Sequence, residues 1–200
     1  SLSKNFMRNA LVVFQFGFAI MLIVSAIVIN KQIDHVQNRA SGYDKNDLIY
    51  QPLTGDLGKN YEAYKNDLLN KGIAISVTKT SSPITQRWSS TAGIKWEGQK
   101  PGQNYSIERI YMDDQFSMTA GLTIVQGRDM DLSAYPSDST AVLLNETAAE
   151  IMDFDNPIGE LIVDNGIEWR VIGIVKDFIL TSPHAKIEPM VLLGSKMSWA

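Results

Sequence analysis

The side chains that most often perform catalysis or bind metals are scarce in this 200-residue sequence. It has no cysteine and only two histidines, His35 and His184, which lie far apart and outside any HExxH-like spacing. The lack of cysteine excludes a disulfide framework, a thiolate metal site and a cysteine nucleophile, and isolated histidines are most often surface residues. No serine lies in a GxSxG context, and no glycine run resembles a phosphate-binding loop. We therefore expect no catalytic residue, no cofactor and no metal site, and hence no enzyme.

Two acidic pairs are the remaining candidates for metal chemistry. Asp129 with Asp131, and Asp153 with Asp155, have the alternate spacing that is found in calcium-binding loops. Both pairs lack the glycine and the distal bidentate glutamate that complete such a loop. We interpret all four residues as solvated acids in turns.

Charge and hydropathy separate the start of the chain from the rest. The formal charge is -4 and the pI is near 5.2, which argues against a nucleic-acid partner because such partners need a basic face. Residues 1–9 contain Lys4 and Arg8 and no acid, whereas residues 10–29 are uncharged and 17 of these 20 are apolar. At 1.5 Å per residue, a helix over 10–29 is about 30 Å long, which matches the hydrocarbon core of a bilayer. The sequence therefore predicts a transmembrane helix with the basic N-terminal flank in the cytoplasm.

One face of this helix carries its one strongly polar residue. At 100° per residue, Gln15 shares a side of the helix with Ala19, Leu22 and Ala26. A polar amide beside small residues is the usual surface for packing against another transmembrane helix. We therefore predict that these four residues contact a neighbouring helix. The alternative is a lone anchor in which Gln15 lies near the lipid headgroups.

A cleaved signal peptide is the rival interpretation of the N-terminal region. Val24-Ser25-Ala26 has the small residues of a cleavage site, and the basic residues before the apolar run would form the n-region. The apolar run continues through Ile29, however, and is long for a signal peptide. The chain also starts with Ser1 rather than Met. We favour an uncleaved span within a fragment of a longer protein.

Beyond residue 30 the pattern changes to short helices and strands. Asp164-Asn165-Gly166 between two alternating runs is the clearest hairpin signal, and Asn145 and Asp113 are placed to cap short helices. We predict helices at 30–38, 61–69, 113–120 and 145–152, and strands at 48–50, 73–80, 94–96, 105–112, 141–144, 161–163, 168–175 and 190–193. Strands and helices mix without a regular βαβ repeat, so the predicted fold class is α+β.

Seven motifs, in order along nearly the whole chain, resemble those of MacB/FtsX-like ABC transporter permeases, particularly the form common in Bacteroidetes-type bacteria. No single motif is diagnostic, but the ordered set is specific. The motifs are Arg8-Asn9-Ala10-Leu11-Val12-Val13-Phe14-Gln15-Phe16, Lys31-Gln32-Ile33-Asp34, Gly42-Tyr43-Asp44-Lys45, Gly121-Leu122 with Gly127-Arg128-Asp129, Leu144-Asn145-Glu146-Thr147-Ala148-Ala149, Asn156-Pro157-Ile158-Gly159, and Val171-Ile172-Gly173-Ile174-Val175-Lys176-Asp177-Phe178.

This resemblance implies a non-catalytic permease component of the bacterial inner membrane. Its periplasmic domain would move as a separate ABC-type ATPase subunit hydrolyses ATP, for export (efflux) or for mechanotransmission. The implied organisation is a cytoplasmic flank at 1–9, a transmembrane helix at 10–29, a stalk and connector at 30–46 and an incomplete MacB-like periplasmic core domain at 47–200. Expected partners are the ATPase, the lipid bilayer, other transmembrane helices of the permease or a second permease copy, and periplasmic or outer-membrane proteins, with no nucleic acid.

A single-span extracytoplasmic sensor or binding module is the alternative function. One anchor followed by an α+β domain is equally natural for that class of protein. An anchored enzyme is disfavoured because the catalytic motifs are missing from the sequence. Further hydrophobic spans and a neighbouring ATPase gene would favour the permease, whereas a cytoplasmic kinase-type domain would favour the sensor.

Overall fold

The computed structural model of the chain describes residues 2–38, 41–181 and 186–196. The chain divides into two compact units, Ser1–Ala40 and Ser41–Ala200. His184 lies outside the described residues, and the side chain of His35 is not among those described, so the prediction that both are surface residues stays a prediction.

The first unit is a single helix, α1 (Leu2–Asn38). Its sequence has no proline, and Gly17 is its one strongly helix-weakening residue, so nothing interrupts the backbone hydrogen bonds. The stretch Phe6–Asp34 is long and apolar enough to cross a membrane, and no other helix in the described part of the chain meets that condition. Its large apolar side chains are exposed. The prediction of one helix that covers 10–29 and continues to Asn38 is confirmed.

The second unit combines short helices with an eight-stranded sheet, which confirms the predicted α+β class. The helices are α2 (Asp56–Lys59), α3 (Tyr61–Asn70), α4 (Phe116–Ala120), a 3-10 helix (Pro136–Thr140) and α5 (Glu146–Met152). The strands are β1 (Ser90–Thr91), β2 (Lys95–Trp96), β3 (Ile107–Tyr111), β4 (Ile124–Gly127), β5 (Ala141–Asn145), β6 (Leu161–Asp164), β7 (Ile167–Val175) and β8 (Met190–Leu193).

The strand order of the sheet is β1-β3-β8-β5-β7-β6-β2, and β4 pairs with the second half of β7. The pairs β3–β8 and β5–β7 are parallel, and the other neighbouring strands are antiparallel. All five residues of β5 are buried. A strand that is buried on both faces needs a packed layer on each side of the sheet.

Alternate side chains of the central strands enter two separate apolar cores. On one face Leu143 and Leu192 pack with Phe116 of α4. On the other face Val142 packs with Met152 of α5. This two-sided packing fixes the ends of β5 and β7, which carry the conspicuous sequence motifs.

Two local sequence signals are confirmed by the backbone. Asn165 and Gly166 are the two central residues of the β6–β7 hairpin, with φ of 51° and 76°, as a type I′ turn requires. The side chain of Asn145 accepts a hydrogen bond from the N–H of Ala148, so that it caps α5.

Two predicted strands were wrong. Residues 48–50 and 73–80 lie outside the strands of the described chain, and only Thr80 forms an isolated bridge. Ile49 and Ile75 are 87% and 95% exposed. Alternating β-branched residues favour extended backbone, but a strand also needs a neighbour with which it can pair. Within the described residues, segment 48–50 has no paired neighbour, and segment 73–80 pairs only at its end, through the bridge between Thr80 and Met112.

The capping role predicted for Asp113 was also wrong. Helix α4 begins at Phe116, and the side chain of its N-cap residue Gln115 makes no capping hydrogen bond. The N–H of Met118 in the first turn instead donates to the carboxylate of Asp129 at 3.3 Å. The carboxylate of Asp113 instead accepts hydrogen bonds from Tyr61 and Thr78. These partners are distant in the sequence. Because the carboxylate is bonded to them, it does not cap α4, and the local sequence pattern could not indicate this.

Candidate functional site

The four residues predicted for helix packing lie on one side of α1. Gln15, Ala19, Leu22 and Ala26 are spaced by four, three and four residues, which keeps them aligned on a continuous helix. All four are exposed, and no described residue hydrogen-bonds to the Gln15 side chain. Ser25 differs, because its hydroxyl donates to the Met21 carbonyl at 2.8 Å. The structure aligns the four residues, and their contact with another helix stays a prediction.

In the second unit the motif residue Asn145 is fully buried and uses every position of its side-chain amide. Its Oδ1 accepts from the N–H groups of Ala148 at 2.9 Å and Met190 at 2.8 Å. Its Nδ2 donates to Asp177 Oδ1 at 2.8 Å and to the Glu188 carbonyl at 3.0 Å. An amide side chain has two donors and two acceptor positions. Asn145 therefore joins the start of α5, the start of β8 and the segment after β7.

Asp177, directly beyond β7, completes what we call the Asn145–Asp177 cluster. Its Oδ2 accepts from the Thr147 hydroxyl at 2.6 Å, and its Oδ1 accepts from the Thr147 N–H at 3.0 Å. The N–H of Asp177 donates to Glu146 Oε2 at 3.0 Å. Because Glu146 and Thr147 are in the first turn of α5, the Asp177 carboxylate also complements the positive end of the helix dipole. The cluster brings together two motifs that the sequence analysis singled out separately.

The Gly127-Arg128-Asp129 motif forms a second polar contact. The Arg128 guanidinium binds both carboxylate oxygens of Asp138, at 2.5 and 2.8 Å, and lies 4.0 Å from the ring centroid of Tyr135. Asp138 is 2% exposed and also accepts the N–H of Asp131 at 3.0 Å. The hydrogen bond to Asp138 raises the pKa of Arg128. A bidentate pair stacked on an aromatic ring holds the guanidinium in one position, so this arginine is structural.

Glycine is required where this motif meets β7. A Cβ added to Gly127, whose φ is +75°, would collide with the carbonyl oxygen of Ile172. A Cβ added to Gly173 would collide with the carbonyl oxygen of Arg128. The two backbones approach so closely that no side chain fits between them.

A third polar group fixes α3 to the segment before α4. The hydroxyls of Tyr61 and Thr78 each donate to Asp113 at 2.5 Å, and the Lys65 ammonium donates to Asp114 at 2.7 Å. Burial and the hydrogen bond to Asp113 raise the pKa of Tyr61, so the phenol stays protonated. Burial lowers the pKa of Lys65, but the hydrogen bond to Asp114 and the charge of Asp113 raise it overall. Neither side chain is set up as a base or a nucleophile.

Glu108 on β3 is a buried acid that the sequence analysis missed. It is 1% exposed, and its carboxylate contacts the guanidinium of Arg87. Burial raises the pKa of Glu108, although the hydrogen bond and charge of Arg87 oppose the shift. The sequence signal was an acid directly after Ile107, at the second position of the strand Ile107–Tyr111. The pair ties the loop that contains Arg87 to the sheet.

The four acids considered as calcium ligands behave differently from one another. Asp131 is half-buried and accepts two backbone N–H groups within its own turn. Asp153 and Asp155 are exposed, as predicted. Asp129 is half-buried, and burial raises its pKa, so its interpretation as a solvated acid was wrong. Within residues 2–38, 41–181 and 186–196 no group of three or more His, Asp or Glu side chains could hold a metal ion.

These polar contacts join segments that are distant in the sequence. In the described part of the chain, the buried carboxylates of Glu108, Asp138 and Asp164 each contact an arginine. The candidate functional features are therefore the Gln15 face of α1 and the contacts that join the elements of the second unit.

Comparison with known proteins leads to the same family as the motifs. The family model of the MacB-like periplasmic core domain matches residues 15–193. The "Macrolide export ATP-binding/permease protein MacB" of Mannheimia succiniciproducens is 24% identical over 173 residues, which are 86% of this chain and 26% of that protein. The chain thus spans about a quarter of the length of this curated relative.

Two solved structures are also similar to this chain. The periplasmic region of MacB from Actinobacillus actinomycetemcomitans is 22% identical, with a TM-score of 0.49, and the match covers 68% of this chain and 55% of that one. The extracellular domain of the ABC-type transporter YknZ from Gram-positive bacteria is 14% identical, with a TM-score of 0.37, and the match covers 54% of each chain.

Proposed function

The chain belongs to the MacB-like periplasmic core domain family, and from this premise we propose that it is part of a non-catalytic permease component of an ABC transporter. In this proposal α1 spans the bacterial inner membrane over residues 10–29, with residues 1–9 in the cytoplasm. Residues 30–46 form a stalk and connector, and residues 47–200 belong to the periplasmic domain. ATP hydrolysis on a separate ABC-type ATPase subunit drives movement of that domain, for export or mechanotransmission.

The observation that carries this proposal is the length and the exposed apolar surface of α1. Its stretch Phe6–Asp34 is apolar and exposed on all sides, and Lys4 and Arg8 lie at its N-terminal end. A helix that is apolar all round is stable when it is surrounded by lipid or by other apolar helices. The amide of Gln15 needs a hydrogen-bond partner in that environment. Other helices of the permease, or a second permease copy, would supply it.

The contacts in the second unit support a domain that moves as one body. The Asn145–Asp177 cluster joins helix and sheet, and Arg128 with Asp138 joins the segment after β4 to the 3-10 helix. Packed protein interiors have low compressibility and transmit displacement. In this proposal, a movement imposed at one point of the domain is transmitted through it to periplasmic or outer-membrane partners.

The test compares three variants of α1 in the full-length protein. Ala19→Phe places a bulky ring on the Gln15 face and should hold a neighbouring helix away, whereas Gln15→Leu removes one interhelical hydrogen bond. Val24→Phe is the matched control, because Val24 is nine residues after Gln15 and hence half a turn away. The measurement is the amount of assembled permease complex that co-purifies in mild detergent.

We expect Ala19→Phe to reduce the assembled complex several-fold and Val24→Phe to leave it unchanged. Gln15→Leu should insert normally and weaken assembly by roughly three- to twentyfold, since interhelical hydrogen bonds contribute about 0.6–1.7 kcal/mol. If Ala19→Phe and Val24→Phe assemble alike, the Gln15 face meets lipid. A lone anchor of that kind belongs to the single-span sensor or binding module.

A further inference from the structure

The segment that follows α1 in the sequence, Ser41–Asp44, is held to the second unit at two points. The N–H of Ile179 donates to the Ser41 carbonyl at 2.7 Å. The N–H of Asp44 donates to the carbonyl of Ala120, at the end of α4, at 2.9 Å. Two bonds to different elements within four residues prevent this segment from swinging about a single attachment. We call these four residues the latch.

The latch lies against the backbone too closely for side chains. A Cβ on Gly42, whose φ is +83°, would lie 2.7 Å from both the carbonyl oxygen of Asp177 and the Cα of Phe178. A Cβ on Gly121, whose φ is +65°, would lie 2.7 Å from the Cβ of Asp44. Real Cβ atoms essentially never lie this close to another heavy atom. Both anchor points therefore depend on glycine.

Apolar packing supports the same contact. Tyr43, between the two anchors, packs against the buried core that contains Phe178 and Phe116. Phe178 is 1% exposed. Burial of part of this aromatic ring adds to the two hydrogen bonds that hold the latch.

The latch lies against Asp177, one of the residues of the Asn145–Asp177 cluster. Gly42 faces the Asp177 backbone, and the Asp177 side chain is bonded to Asn145 and Thr147. Asn145 in turn binds the N–H of Met190 at the start of β8. Contiguous contacts thus run from the latch to α5 and to the central strands β5, β7 and β8.

We propose that the latch is a rigid coupling element, which delivers a displacement that reaches Ser41 to the segment after β7, at Asp177. This inference rests on the proposed function, because it specifies where that movement enters the periplasmic domain. A flexible linker in the same place would absorb the movement in its own backbone. The latch instead makes Ser41–Asp44 part of the body that moves.

The experiment is hydrogen–deuterium exchange on the full-length permease in its membrane, in three forms. Gly42→Ala should break the close approach. Gly102→Ala is the matched control, because Gly102 has the same φ of +83° but an added Cβ would meet nothing within 4 Å. The two variants therefore share the backbone strain and differ only in the collision with Asp177 and Phe178.

In the unmutated protein, the amides of Asp44 and Ile179 should exchange as slowly as sheet amides such as that of Val171. Gly42→Ala should speed exchange at these two amides by about tenfold or more, and Gly102→Ala should change it less than about twofold. Fast exchange of the two amides in the unmutated protein would overturn the latch, even if Gly42→Ala failed to fold. Equal effects of the two variants would overturn it as well.

A second arm separates the latch from the proposed function. Nucleotide should change the exchange of the Asp177–Ile179 segment in the unmutated protein and in Gly102→Ala, but not in Gly42→Ala. A response that survives in Gly42→Ala would show that movement enters the domain elsewhere and would contradict the coupling role. Slow exchange of the latch amides without any nucleotide response would contradict the ATP-driven function, and with it the coupling role, while confirming the latch contact.

Discussion

Replacing Asn145 with alanine should lower the free energy of unfolding by about 4 kcal/mol, a large part of the stability of an ordinary domain. Loss of the cap on α5 contributes about 1 kcal/mol. The buried N–H of Met190 loses its acceptor, which costs about 1–3 kcal/mol, and the bond to the charged carboxylate of Asp177 contributes about 1.5–3 kcal/mol. Asp177 keeps both of its bonds to Thr147, which limits the total.

The assay is urea unfolding of the full-length protein in detergent, followed by tryptophan fluorescence, to which the fully buried Trp169 contributes. For a slope of about 2 kcal/mol per molar urea, the midpoint should fall by about 2 M. Asn104→Ala is the matched control, because Asn104 is exposed. A substitution of this kind changes stability by less than about 0.5 kcal/mol.

A loss below about 1 kcal/mol for Asn145→Ala would refute the reasoning, because water would then have replaced the four hydrogen bonds. A second variant, Asn145→Asp, tests the charge environment. It keeps two acceptor positions but places a second carboxylate within hydrogen-bond distance of Asp177. Like charges this close raise the pKa of the pair. The destabilisation caused by Asn145→Asp should therefore become smaller as the pH falls. A loss of stability that did not depend on pH would contradict the predicted repulsion between the two carboxylates.

Two further predictions concern the sheet. Gly173→Ala should lower the free energy of unfolding by about 1–3 kcal/mol in the same assay, because the new Cβ collides with the Arg128 carbonyl and presses on the Leu143 side chain; a loss within experimental error would contradict the close approach. Glu108→Gln should flatten the dependence of stability on pH in urea titrations. Burial raises the pKa of Glu108, so between the ordinary and the raised pKa the native state binds more protons than the unfolded chain, and stability falls as the pH rises through that window. Equal slopes for Glu108→Gln and the unmutated protein would contradict this.

Elements defined by local chemistry were predictable from the sequence. The apolar run of α1, the Asn165-Gly166 turn and the Asn145 cap each depend on residues within a few positions of one another. The partners of Asn145 across the sheet were not predictable, because β8 and the segment after β7 meet β5 only through the sheet topology. The sequence motifs contain Asn145 and Asp177, but they do not indicate that these two residues are in contact.

The failures have the same physical origin. The apolar run at 48–50 and the alternating residues at 73–80 favour extended backbone but do not specify a pairing partner. Asp113 has the residue type of a helix cap, yet Tyr61 is the partner that it binds. Glu108 stands in a strand where an acid is unfavourable unless a cation approaches, and Arg87 lies on a separate loop. In each case the outcome depends on whether a residue distant in the sequence is present as a partner.

The most direct test of the permease assignment is the protein composition of the complex that the full-length protein forms in its native membrane. The measurement is affinity purification in mild detergent, followed by mass spectrometry and an ATPase assay of the complex. Our account predicts a separate subunit with the GxxxxGK[ST] phosphate-binding motif, in a stoichiometric amount and with ATPase activity. A full-length protein that purified without such a subunit, or that carried an ATPase or kinase-type domain on its own polypeptide, would contradict it.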